Sequence, residues 1–219
     1  MNIFKQPIFL GILAVALIIT IVWTYIGNKN ASDNTQTEQS TTSGDTATET
    51  VDDLTTATPS DFDVIARAEL AAATKYAIEF TPDFKISVVE VNIGADMKKE
   101  SIVTRYAFST AKDTRNNWVY TTDQSNGSFL RALIPKADYL GEIVPINISL
   151  WKYNYISALQ LAEKNGGKDW RSNNTLQEIT AILKESADLK KLYWTLEYKS
   201  ADSSYVSVID ATTLEISQQ

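Results

Sequence analysis

The most strongly patterned stretch of the chain is residues 8–27, which read IFLGILAVALIITIVWTYIG and contain no charged side chain. At about 1.5 Å of rise per residue, a helix of this length spans the roughly 30 Å hydrocarbon core of a bilayer. The apolar run is longer than the core of a signal peptide, and no small-x-small cleavage site follows it. The pattern therefore predicts an uncleaved transmembrane helix over residues 8–27, a signal-anchor that follows a short cytoplasmic tail over residues 1–7.

Residues 28–58 form a second region, rich in threonine, serine and acidic residues and almost free of large apolar side chains. Such a segment buries too little apolar surface to offset the entropy of ordering, so we predict a disordered linker. The positive charges that flank the anchor, Lys5 and Lys29, are balanced and do not set its orientation. The composition of the linker favours a single-pass protein of the cell membrane with a cytoplasmic N-terminus and an extracytoplasmic C-terminal part. The opposite orientation is the alternative.

After the linker, the pattern changes to that of an amphipathic helix. Ser60 and Asp63 have the spacing of a capping box, and an alanine-rich run of high helix propensity follows them. The apolar positions that share one face of this helix are Phe62, Ile65, Ala73, Tyr76 and Phe80. Pro82 ends the helical pattern.

Short apolar runs with β-branched and aromatic side chains then predict strands and one clear β-hairpin at the end of the chain. The predicted strands are residues 84–93, 101–110, 117–122, 129–134, 192–199 and 205–210. Residues 156–165 have helical spacing and end at a Gly166-Gly167 C-cap. The pattern of residues 177–185 fits either a strand or a helix that begins with a capping box at Thr175, and both remain open at this point.

Composition narrows the chemistry that the chain can perform. It has no histidine and no cysteine, which excludes His-dependent triads, thiol nucleophiles, disulfides and most zinc sites. The net charge of −7 and the lack of any basic run longer than Lys-Lys argue against nucleic acid as a partner. The turn at residues 123–127 lacks the full calcium-loop pattern and is interpreted as an Asx turn. We therefore expect no catalytic residue, no metal and no cofactor.

The two halves of the folded part repeat one order of elements: a helix, an apolar strand, and a hairpin that ends in aspartate. The hairpins, residues 103–123 and 193–210, both begin their return strand with an aromatic-Val step. In the second half, the helix ALQLAEKNGG (158–167), the run WTLEY (194–198) and the run YVSVIDATT (205–213) resemble the PepSY family of small extracytoplasmic modules. Leu214 departs from the family pattern, because it stands where a turn glycine is expected.

This resemblance implies an α+β fold of two tandem units, residues 59–142 and 143–219, in each of which a helix packs on an antiparallel sheet. It favours a strand at residues 177–185 and a closing turn that differs from the family's at Leu214. It also implies a non-catalytic role, since such modules regulate or inhibit peptidases or bind envelope components. A domain without disulfides, stabilised by its core alone, is typical of the prokaryotic envelope.

The candidate residues for a binding face are the tryptophans of the folded part, Trp118, Trp151, Trp170 and Trp194. We favour the interpretation that most of these rings build the core, since aromatic side chains dominate core burial in small domains. We expect a membrane-anchored extracytoplasmic module, inserted in the bilayer through residues 8–27, that binds or regulates a peptidase or another envelope component without catalysis. A structural envelope or stalk protein and a hydrolase that uses carboxylates alone are the alternatives.

Overall fold

The structure is a computed structural model that describes residues 53–123, 128–138, 140 and 143–217. The predicted tail over 1–7, the predicted membrane anchor over 8–27, most of the predicted linker over 28–58 and the turn residues 124–127 lie outside this part of the chain. No helix within the described residues combines the length and the hydropathy that a membrane span requires.

The described residues form one seven-stranded antiparallel sheet with helices, which confirms the predicted α+β class. The strand order across the sheet is β4-β3-β2-β1-β5-β6-β7. The elements are α1 (Pro59–Phe80), β1 (Lys85–Gly94), β2 (Val103–Ser109), β3 (Asn116–Asp123), β4 (Ser128–Pro135), α2 (Tyr155–Ala162), α3 (Lys168–Asn173), β5 (Glu178–Glu185), β6 (Leu192–Lys199) and β7 (Ser204–Asp210). All the predicted strands are therefore present, as are the two predicted hairpins, β2–β3 and β6–β7.

Within residues 177–185, whose conformation the pattern left open, Glu178–Glu185 form a strand. Ile179, Ala181 and Leu183 are fully buried, and β5 pairs with β1 on one side and with β6 on the other. The alternating positions therefore decide the conformation, because they place three apolar side chains on the buried face of a central strand. The capping box at Thr175 does not form, since no helix begins there.

The two halves of the chain meet at the centre of the sheet, where β1 and β5 pair in antiparallel register. Each half contributes a helical segment followed by a meander of consecutive strands, and β1 and β5 are the first strand of each meander. The larger of two apolar clusters among the described residues lies between the sheet and the helices and contains buried residues from both halves, among them Phe62, Val91, Leu159 and Trp194. The smaller cluster consists of Val88, Ala107, Val119 and Ile143. The two predicted units thus share one sheet and its larger core.

The start of α1 differs from the predicted capping box. Thr58 is the N-cap without a side-chain capping bond, and Pro59 occupies the first turn, where a fixed φ and a missing N–H cost nothing. Asp61 lies in the first turn near the positive helix end. Asp63 has another partner, because its Oδ1 accepts a hydrogen bond of 2.7 Å from Asn154 Nδ2.

The second helical segment is capped by Asn154, whose side chain accepts a hydrogen bond from Ser157 N at 3.1 Å. After α2, Gly166 has φ +120°, the left-handed backbone that the predicted glycine C-cap requires. The chain then returns to helical geometry and continues as α3, which the sequence did not indicate.

The ordered domain also extends further back than the composition indicates. Leu54, in the segment assigned to the linker, is only 1% exposed and belongs to the core. Its backbone N–H donates to Met97 O at 3.1 Å, and Asp53 forms an isolated bridge with Lys98. Residues 53–58 are therefore part of the fold.

Candidate functional site

The four tryptophans do not form one surface. Trp194 is completely buried on β6, and its Nε1 donates to Tyr153 O at 2.8 Å. Trp151 packs edge-on against Trp194, with ring centroids 6.0 Å apart. Within this group, the structure brings together only Trp151 and Trp194.

The other two tryptophans belong to separate clusters. Trp170 on α3 contacts Tyr198, with ring centroids 6.2 Å apart. Trp118 on β3 packs against Phe80 and Phe84 at 5.2 and 5.5 Å. Because β2, β1 and β5 lie between β3 and β6, about 19 Å of sheet separates Trp118 from Trp194.

A cavity of about 100 Å³ lies between α1 and the sheet, close to the seam of the two halves. Its roof is the first half of α1, its floor is formed by β1, β2 and β3, and Trp151, Tyr155 and Trp194 close one side. The polar side chains that line it are Glu69, Lys99, Thr104, Tyr106 and Thr122. The fold thus places polar groups from distant parts of the chain around one small space.

Glu69 is the acidic member of this lining. Tyr106 Oη donates to its Oε2 at 3.1 Å. Burial raises the pKa of the Glu69 carboxyl, and hydrogen bonds from Tyr106 and Thr104 partly oppose that rise. Burial, together with the nearby Glu69 charge, raises the pKa of Tyr106 and of Tyr155, so both remain neutral hydroxyls.

Two further groups complete the cavity. The Oγ of Thr122 is buried and has no hydrogen-bond partner. Lys99 is exposed, and its Nζ lies 5.9 Å from the centroid of the Phe62 ring, within the range of a cation–π contact. The cavity therefore combines a half-buried acid, an unsatisfied hydroxyl and aromatic rings.

The number of acids at the cavity bears on the alternative of a hydrolase that uses carboxylates alone. Hydrolysis by carboxylates needs two of them facing each other across the substrate, whereas Glu69 is the one acid among the described residues that line the cavity. No group of three or more potential metal ligands occurs among the described residues.

A second feature is the outer edge of the sheet at β4. No described strand pairs with the far side of β4, and its side chains are largely exposed, with Leu130 at 61% and Leu133 at 49%. Next to it, an open groove of about 310 Å³ runs along the second half of α1 and includes Tyr76 and Phe129. The predicted apolar stripe of α1 is thus buried at Phe62 and Ala73, whereas Ile65, Tyr76 and Phe80 are more than one third exposed.

The opposite edge of the sheet, at β7, is partly covered by its own chain. After β7 the backbone turns back, so that Ser217 N donates to Val208 O at 2.8 Å and Asp210 N donates to Glu215 O at 2.9 Å. Ile209 and Ile216 form an isolated bridge in the same place. Only the β4 edge is therefore open among the two edges that the structure describes.

Sequence reasoning missed the cavity and the open edge. One signal for the cavity was available, because Glu69 interrupts the apolar face of α1, seven residues after Phe62 and four before Ala73. A charged residue at such a position must either be paired or line a polar space.

Comparisons with known proteins add little to this description. No family model matches the chain, and no curated protein matches it. Among solved structures, the crystal structure of a putative lipoprotein from Clostridium difficile 630 matches with a TM-score of 0.43 and 11% sequence identity. The match covers 67% of this chain and 88% of the other. A likeness of this size carries no argument about fold or function.

Proposed function

We propose that the protein is a membrane-anchored, non-catalytic binding or regulatory module of the prokaryotic cell envelope. The anchor over residues 8–27 and the linker hold its α+β domain on the extracytoplasmic side, with the N-terminus in the cytoplasm. The domain consists of two PepSY-like units, and it binds an extended polypeptide segment of an envelope protein such as a peptidase. The observation that carries this proposal is the open, apolar edge of β4.

The PepSY-like interpretation is supported by the repeated order of elements and by the closing turn of the second half. Asp210 Oδ1 accepts hydrogen bonds from Thr212 N and Thr213 N at 2.7 and 3.1 Å, which gives the motif aspartate a structural role. Leu214 has φ +59°, the left-handed backbone that a glycine adopts easily. Leu214 therefore adopts the positive φ that a glycine at this position would adopt, so φ at Leu214 does not show the expected difference from the family's turn.

Binding of an extended segment is supported by the chemistry of a free strand edge. An unpaired edge presents N–H and C=O groups that another extended chain can pair with, and proteins commonly block such edges with lysine, proline or bulges. In β4 a proline occurs only at the last residue, Pro135, and no lysine occurs, whereas Leu130 and Leu133 are exposed and apolar. Arg131 is held over the Phe80 ring at 3.7 Å, so its charge is directed toward α1.

The experiment places a photo-crosslinking amino acid at Ala132 of β4 in the full-length chain, within native envelope membranes. We expect one polypeptide partner to be crosslinked, and we expect Leu130→Lys to reduce its yield at least tenfold, because a lysine at an edge opposes strand addition. The matched control is Leu189→Lys, since Leu189 is 63% exposed but lies in the turn between β5 and β6.

Equal yields from the two lysine variants, or no crosslink at Ala132, would contradict binding at β4. If the crosslinked partner is a second copy of this chain, the result favours the structural or stalk alternative over a regulatory module. The membrane topology is tested separately by adding protease to intact cells, which should degrade the domain while its anchor remains in the membrane.

A further inference from the structure

We propose that the cavity beneath α1 is a binding site for a small organic ammonium group that retains at least one N–H, such as the primary amine at the end of an aliphatic chain. This inference goes beyond the proposed function and is independent of the β4 edge. It rests on the size of the cavity, the nature of its walls and two groups in it that lack a full complement of partners.

The volume sets the size of the ligand. A cavity of about 150 Å³ in a protein core is known to accept benzene, and the space beneath α1 is about 100 Å³. It therefore suits an ammonium group with a short piece of chain and excludes a sugar or aromatic ring. The remainder of a longer ligand must leave through the side at which Lys99 and Ile65 are exposed.

The charge of the ligand follows from Glu69. A half-buried carboxylate has lost part of its hydration, so a cation beside it recovers electrostatic energy that water no longer supplies. The carboxylate still accepts hydrogen bonds from Tyr106 and Thr104, which hold it at the cavity wall. An anion or a neutral apolar ligand gains nothing from this group.

The aromatic side of the cavity favours the same ligand. Phe62, Tyr155 and Trp194 pack edge-on against one another, with successive ring centroids 6.0 and 6.3 Å apart, and all three line the space. Aromatic walls attract ammonium groups through the negative faces of the rings. Lys99 already uses this attraction from outside, with its Nζ 5.9 Å from the Phe62 ring.

Thr122 adds the requirement for an N–H. Its Oγ is buried at the cavity wall without a partner, and an ammonium N–H can donate to it. A quaternary ammonium has no such donor and leaves the hydroxyl unsatisfied. The site should therefore prefer a primary amine to a fully methylated one.

The experiment measures binding of n-butylammonium and of tetramethylammonium to the full-length chain in detergent micelles by isothermal titration calorimetry. We expect saturable binding of n-butylammonium in the millimolar range and at least threefold weaker binding of tetramethylammonium. Glu69→Gln should weaken binding of n-butylammonium at least tenfold. Its matched control is Glu79→Gln, which removes an exposed acid of the same helix outside the cavity and should leave the affinity unchanged.

Two further variants separate the contributions of the walls. Lys99→Met removes a competing cation and should strengthen binding about threefold. Thr122→Val should weaken binding of n-butylammonium about threefold while leaving tetramethylammonium unaffected. Circular dichroism of each variant checks that the fold is retained.

No saturable binding of n-butylammonium to the wild-type chain would overturn the proposal. So would equal effects of Glu69→Gln and Glu79→Gln, because binding would then depend on overall charge. Neither result affects the crosslinking from β4, so the two proposals fail separately.

Discussion

The two halves of the molecule follow one plan but differ in how completely they are closed. In the second half, the four large side chains that β6 presents to the core, Leu192, Trp194, Leu196 and Tyr198, are fully buried. The chain after β7 also returns to cover that edge of the sheet. In the first half, β4 is exposed and α1 ends over an open groove, and the cavity lies beneath its first turns.

This difference indicates that the second half contributes mainly to stability, whereas the first half offers surfaces for recognition. A closed half with a covered edge has little apolar surface left for a partner, and its packed side chains contribute mainly to the free energy of unfolding. An open half keeps apolar and polar groups in reach of other molecules. On this interpretation, substitutions in the second half should affect stability most, and those in the first half should affect binding most.

The largest expected effect tests this comparison with one tryptophan from each half. Trp194→Ala should lower the free energy of unfolding by about 3–5 kcal/mol, because it leaves a cavity in the closed half and an unpaired carbonyl at Tyr153. Trp118→Ala, at a partly buried site, should cost only about 1–2 kcal/mol. Urea denaturation followed by circular dichroism measures both values, and equal losses would show that the halves do not differ.

A smaller effect concerns two hydroxyls that lack partners. Ser207 Oγ is buried in the closed half, so Ser207→Ala removes an unsatisfied group and should raise stability by about 1 kcal/mol. For a chain of this size, that corresponds to a rise of roughly 2–4 °C in melting temperature. Thr122→Val should shift the melting temperature less, because the new methyl group borders the cavity and gains fewer packing contacts than it would in a filled core. A larger gain from Thr122→Val would contradict the difference in packing.

The smallest expected effect is a dependence of stability on pH that arises in the open half. Burial raises the pKa of Glu69 above its ordinary value of 4.5, so its contribution to stability is present below that value. The contribution is lost as the pH rises through the folded-state pKa. Wild-type protein should therefore lose stability relative to Glu69→Gln between pH 4 and pH 7, measured by urea denaturation at each pH.

The control for this pH dependence has the opposite sign. A hydrogen bond from Thr110 Oγ, at 2.6 Å, lowers the pKa of Asp83. Its contribution is therefore present above the unfolded-state pKa and is lost as the pH falls. Relative to Asp83→Asn, the wild type should lose stability on acidification. If the stability of the wild type relative to each variant changed with pH in the same direction for Glu69→Gln and Asp83→Asn, Glu69 would not be the source of the pH dependence.

The elements could be predicted from the sequence because each leaves a local pattern. The alternation of Ile179, Ala181 and Leu183 is enough to identify a strand once a partner lies on each side. The start of α1 was predicted at the wrong residues, because Ser60 and Asp63 fit a capping box in sequence while Pro59 fits the first turn better. At this helix start, two local sequence patterns predict different first residues. The hydrogen bond between Asp63 and Asn154 could not be predicted from either pattern, because the two residues are distant in the sequence.

The candidate sites could not be predicted in the same way, since neither is local. The cavity combines Phe62, Thr122 and Trp194, which only the assembled sheet brings together. The apolar run in β4 predicts a strand equally well whether its edge is covered or open. Tryptophan content indicated large buried rings but not their distribution over three clusters.

The pairing of β1 with β5 has a consequence for the order in which the protein folds. Asn92 and Thr180, which are hydrogen-bonded across this seam, lie 88 residues apart in the chain. At a synthesis rate of about 5–20 residues per second, β1 has to wait roughly 4–18 s for the strand that completes the centre of the sheet. During that interval the first half carries a second exposed edge, so a chaperone that shields nascent strands should act on β1 before β5 emerges.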